Sequence, residues 1–188
     1  QLLRLLRPFV YRRYIDFGAI EALHTMHTSV SEDALRKDRQ DDIKRGPGGI
    51  REIEFLVQTF QLLRGGREPE LQTPSLFKAA AGLSKLHMLR EESVAELLAA
   101  YRFLRRTENR IQQTHQVPTG DDGLRVAKAM GFSDFPEFRL ALEHTRNRVQ
   151  QLFAQSLPQP VDTAAATNRW SVHWQRLRNS AQHEPHDV

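Results

Sequence analysis

Apolar residues recur at three- and four-residue spacing along most of the chain, the period of an α-helix with one buried face. Ile53, Leu56, Val57, Phe60 and Leu63 share such a face and predict a helix from about Ile50 to Leu63. Val94, Leu97, Leu98, Tyr101, Leu104 and Ile111 do the same for about Glu91 to Gln113. A shorter helix is predicted between them, over about Ser75 to Leu86, directly after Pro74. Upstream, Tyr14, Ile15, Ala19, Ile20, Leu23 and Met26 predict a long helix from about Tyr11 to Arg39, broken near Ser29.

Downstream, a short helix from about Asp122 to Met130 is stopped by Gly131. The next runs from about Asp134 to Gln155, with Asp134 and Glu137 spaced as a capping box. Gly65, after the Ile50 helix, is placed to be a left-handed cap. Beyond Leu157-Pro158-Gln159-Pro160, a last helix over about Thr167 to Arg178 carries Trp170 and Trp174 on one face. That pair reads equally as core packing or as a docking stripe. No alternating Val/Ile/Thr run bounded by turn residues announces a strand. The pattern therefore predicts an all-α bundle of six or seven helices over residues 1–156, with a linker, a short helix and a frayed tail over 157–188.

Leu2, Leu3, Leu5, Leu6, Phe9 and Val10 are apolar positions with nothing before them to pack on. Residues 1–10 thus read as the exit from a preceding domain, and the chain as a piece of a larger, multidomain enzyme.

Composition narrows the classes. The 27 basic and 23 acidic residues leave a net charge of only +4, so most charge belongs to solvated helix faces and a nucleic-acid partner is disfavoured. Cysteine is absent, which excludes disulfides and thiolate metal sites and fits the cytoplasm. No apolar run approaches the roughly 20 residues of a membrane span.

The sharpest candidate chemistry is KRGPGGIREIEF, residues 44–55. Gly46, Gly48 and Gly49 let backbone come close to a ligand. A helix starts directly after them, and helix N-termini attract anions. Lys44, Arg45 and Arg51 add positive charge on both sides. The segment is a candidate phosphate or nucleotide cradle, although no Gly-Lys-Ser/Thr follows and it is not a Walker A motif. The plainer alternative is an interhelical loop, with Glu52 and Glu54 complementing the helix dipole. Glu108 lies on the apolar stripe of its helix beside Arg105, which predicts a buried pair able to steady the 44–49 loop. His24 and His27 have metal-compatible spacing but no evident third ligand. Arg102, Arg106 and Arg110 form a stripe that suits a solvated face or a domain contact.

The stretch DIKRGPGGIREIEFLVQ (42–58), followed by QLLRGGREP (61–69), resembles the glutamine synthetase adenylyltransferase family. So do YRFLRRTENRIQ (101–112) and the earlier RPFVYRRYID (7–16). The resemblance covers roughly residues 5 to 156 in matching order. It implies a bacterial enzyme of two similar halves, each a nucleotidyltransferase domain followed by a helical bundle. One half would remove AMP from a glutamine synthetase tyrosine by phosphorolysis, and the other would attach it from ATP. REIEF with LLRGGR resembles the first, deadenylylating half, and a related bundle occurs in the uridylyltransferase that modifies the PII protein. The resemblance implies glutamine synthetase, PII and the adjoining nucleotidyltransferase domain as partners, with magnesium and ATP or phosphate as requirements of the parent enzyme.

The family's transferase domain uses a Gly-Ser turn and an Asp-x-Asp pair. This chain has neither, since Asp41-Asp42 and Asp121-Asp122 are adjacent pairs. Nucleotidyl transfer needs such carboxylates to place its cation, so no catalytic residue is expected here and the chain alone is expected to be inactive. The alternative function is a free-standing basic helical binding module for nucleic acid or protein.

Overall fold

The computed structural model describes residues 2–11, 17–36, 41–111 and 117–157. Within them lie seven α-helices and no extended strand: α1 (Leu2–Val10), α2 (Phe17–Arg36), α3 (Ile50–Arg64), α4 (Leu76–Lys85), α5 (Glu91–Ile111), α6 (Gly120–Met130) and α7 (Phe135–Ser156). A 3-10 turn, Pro69–Leu71, joins α3 to α4. The all-α expectation holds for these residues. None of the described helices is long and apolar enough to cross a membrane.

The core is built by α3 to α7. Helix α5 is its axis, in contact with α3, α4, α6 and α7. Its stripe of Val94, Leu97, Ala100, Leu104 and Ile111 is buried, as the 3.6-residue period requires. Ile53, Leu56 and Val57 of α3 meet it from one side, and Phe138, Leu142 and Val149 of α7 from another. Phe138 is fully buried and forms an aromatic cluster with Phe103, Phe132 and Phe135. Truncating such a side chain to alanine typically costs about 3–5 kcal/mol.

Local signals set the helix ends. The Ser75 side chain accepts from the Lys78 N–H, and Asp134 accepts from the Glu137 N–H at 2.8 Å. Glu137 reaches back to Ser133 rather than to Asp134, taking its N–H at 3.0 Å and its hydroxyl at 2.6 Å. Gly131 closes α6 at φ +92°.

Several expectations need correcting. The segment before Tyr11 is helix α1, with Pro8 inside it, and of the long first helix the described part is α2, which runs through Ser29 without the expected break. Leu6, Phe9 and Val10 on α1 are exposed, as is Met26 on α2. Gly65 is right-handed, at φ −59°, not left-handed. Its role is spatial: a methyl group there would run into the Gln61 carbonyl oxygen and the Tyr11 ring. Residues 12–16, Gln112 and the helix expected over 167–178, with Trp170 and Trp174, lie outside the described residues.

Candidate functional site

The glycine-rich loop between Asp41 and Ile50 closes on itself. Asp42 is buried, and its Oδ1 accepts the N–H groups of Lys44 at 2.8 Å and Arg45 at 2.9 Å. The Gly46 N–H donates to the Asp42 carbonyl, and the Gly49 N–H to the Gly46 carbonyl. At the start of α3, Ile50 donates to the Ile43 carbonyl at 3.1 Å, Arg51 to Lys44 at 3.0 Å and Glu52 to Gly49 at 3.2 Å. The Gly48 N–H donates to the Glu52 carboxylate.

These bonds change the picture drawn from sequence. Helix N-termini attract anions through spare N–H groups, and here the first three are taken by the loop's own carbonyls. The backbone of this loop is occupied by itself. What it can present to an anion is side chains: Arg45 and Arg51 are exposed, and Lys44 is half-buried.

Two charged side chains from distant helices hold the loop. The first is Glu108 of α5, 6% exposed. Its Oε2 accepts from Arg105 at 2.6 Å, and its Oε1 lies 3.7 Å from the Lys44 ammonium. The Glu108–Arg105 pair expected from the apolar stripe is thus present, and it reaches the loop. Beside it, Glu54 accepts from the Tyr101 hydroxyl at 3.1 Å. Burial, then Glu54, raises the Tyr101 pKa.

The second is Arg146 of α7. Its Nε donates to the Pro47 carbonyl at 2.7 Å. Gly48, at φ +67°, sits directly on the Arg146 backbone, where a methyl group would come within 2.6 Å of its carbonyl carbon. Glu52 lies close enough to interact with the guanidinium. Its Oε2 is buried without a hydrogen bond, and burial raises its pKa against the opposing pull of the Gly48 N–H and Arg146. Sequence reasoning missed Arg146. A signal was present: Leu142, Arg146, Val149 and Phe153 repeat at 4-3-4 spacing, so a charge interrupts a buried stripe, as Glu108 does between Leu104 and Ile111.

The remaining candidates are ordinary structure. The His27 ring stacks on Phe153 at 4.3 Å and lies 5.4 Å from Phe55, pinning α2 to the bundle. Burial, then His24, lowers its pKa. Arg102 covers the Phe77 ring at 5.0 Å, while Arg106 and Arg110 are exposed. Among the described residues no three His, Asp or Glu side chains are grouped to hold a metal. Around the loop Asp42 is engaged by amides and Glu108 by cations, and Glu52, with one oxygen unpaired, is a single carboxylate rather than a ligand set. The site does not fit a magnesium ion.

Residues 24–157 match the protein family described as GlnD PII-uridylyltransferase. The chain is also similar to proteins named bifunctional glutamine synthetase adenylyltransferase/adenylyl-removing enzyme. It is 41% identical to that of Aromatoleum aromaticum over 98% of its length. It is 45% identical to that of Xanthomonas axonopodis pv. citri over 93%, and 40% identical to that of Neisseria meningitidis serogroup B over 91%. The matches cover 20%, 19% and 20% of those relatives, so the chain spans about a fifth of their length.

Proposed function

Since the chain belongs to the GlnD PII-uridylyltransferase family, we propose that it is the helical domain of a bifunctional enzyme that adenylylates and deadenylylates glutamine synthetase. The relatives' shared name and their 40–45% identity over nearly the whole chain support this choice within the family. The domain does no chemistry itself. It stands beside the deadenylylating nucleotidyltransferase site, and the loop from Lys44 to Gly49 faces that site. Magnesium and the nucleotide or phosphate are held by the neighbouring domain. Glutamine synthetase is the protein substrate, PII the regulatory partner and the cytoplasm the compartment.

The observation that carries this reading is the loop's construction. Asp42 and Glu108 are buried and Glu52 and Arg146 half-buried, and all four are spent on fixing its shape, while Arg45 and Arg51 project outward. A loop that only joined two helices would not need four charged side chains to hold it, because each costs desolvation. Fixed cations at a rim stabilise negative charge that develops on a transferring phosphoryl group.

The test compares the isolated chain with the full-length enzyme. Adenylylated glutamine synthetase with phosphate, or glutamine synthetase with ATP, is supplied with magnesium. The full-length enzyme should turn over both, and the chain alone neither. Turnover that co-purifies with the chain would refute the supporting role.

A further inference from the structure

We propose that Arg146 is the positioning residue of the loop: it seats residues 44–49 on α7 and thereby sets where Lys44, Arg45 and Arg51 project. This rests on the reading of the loop as part of the deadenylylating site. Contacts from three places converge on Arg146. Its Nε binds the Pro47 carbonyl, the only backbone hydrogen-bonding group a proline offers. Its own backbone forms the surface on which Gly48 lies. Its guanidinium is acted on electrostatically by Glu52, whose carboxylate in turn takes the Gly48 N–H. Pro47, Gly48, Glu52 and Arg146 therefore make a closed circuit between the loop, α3 and α7.

Arginine suits this place for a chemical reason. The guanidinium keeps its charge when buried and donates in several fixed directions at once. It can serve Pro47 through Nε and keep further N–H groups for other acceptors. Asp41, Glu52 and Asp42 all act on it electrostatically. A lysine would retain the charge and lose the fork. The other anchor, Glu108, reaches the loop at the Lys44 side chain. Arg146 meets the Pro47-Gly48 turn directly, and a displacement there is carried through Gly49 into Arg51.

The experiment uses the full-length enzyme carrying Arg146→Met, Arg146→Lys and the double variant Arg146→Met/Glu52→Gln. The double variant removes the carboxylate that the first would leave buried without its cation. Hydrogen exchange of residues 42–52 is read beside kcat and KM for deadenylylation, with adenylylation by the other half as a control for folding. Arg146→Met and the double variant should exchange the loop amides faster while α5 stays protected. Their kcat should fall about tenfold, as expected when reacting groups are misplaced, with KM within about twofold. Arg146→Lys should fall between wild type and Arg146→Met. Unchanged loop exchange would overturn the proposal, and so would a loosened loop with full kcat or an equal loss of both activities. If Lys44→Ala and Arg51→Ala are silent, the reading of the cations fails by itself. The exchange data then still decide whether Arg146 holds the loop.

Discussion

Gly48 and Arg146 are 98 positions apart in the chain, yet the glycine lies flat against the arginine's backbone. Two constraints meet at this contact. The φ of Gly48 is +67°, which L side chains rarely adopt, and its Cα faces backbone that cannot turn aside as a side chain can.

Gly48→Ala should therefore cost about 2–4 kcal/mol, from the left-handed strain together with overpacking. Gly131 separates the two effects, because its φ is +92° with nothing within 4 Å of an added methyl group. Gly131→Ala should cost only about 1–2 kcal/mol, the conformational part. Thermal unfolding of the two variants measures the difference. Equal losses would mean that the close approach to α7 carries no energy.

Glu108 should matter more than either cation it holds. The carboxylate is 6% exposed, while the Lys44 and Arg105 side chains are 39% and 42% exposed, so solvent screens their share. Glu108→Ala should cost about 1–2 kcal/mol, and Lys44→Ala less than about 0.5 kcal/mol. Urea denaturation of the single variants and of the pair closes the double-mutant cycle. A larger loss from Lys44→Ala than from Glu108→Ala would reverse this assignment.

The helices were legible because packing and periodicity agree. Leu97, Leu104 and Ile111, or Ile53 and Leu56, recur at helical spacing and are buried as that spacing demands. Asp134 and Ser75 stated the starts of their helices in their side chains. The loop was half legible. Glycine and proline marked it and lysine and arginine charged it, but where its amides point depends on φ and on α7, which no local pattern encodes. Arg146 lies 99 positions from Pro47, and its spacing on a buried stripe showed only that it needed some partner. Gly65 differs for a related reason: besides the nearby Gln61 carbonyl, the Tyr11 ring, far away in sequence, stands where a side chain would go.

Acidification should reveal two glutamates of opposite sign. Glu52 has its pKa raised from 4.5 by burial. The folded state holds its proton to higher pH than the unfolded chain, so the contribution of Glu52 to stability falls as pH rises through that interval. Glu137 is lowered from 4.5 by its bonds from Ser133. Its contribution is present above the unfolded pKa and is lost as pH falls through the folded one. From about pH 4 to about pH 7, wild type should lose stability relative to Glu52→Gln and gain it relative to Glu137→Gln. Parallel pH profiles for the two variants would contradict the buried setting of Glu52.

The most direct measurement is the rate of deadenylylation by the full-length enzyme carrying Lys44→Ala or Arg51→Ala, with thermal stability recorded on the same proteins. If these cations stabilise charge at the neighbouring site, the rate should fall by up to about a hundredfold. Adenylylation by the other half and the unfolding temperature should stay near wild type. The contradicting result is a loop that matters only to folding. Gly48→Ala would then lower the unfolding temperature, while Lys44→Ala and Arg51→Ala left both stability and turnover unchanged.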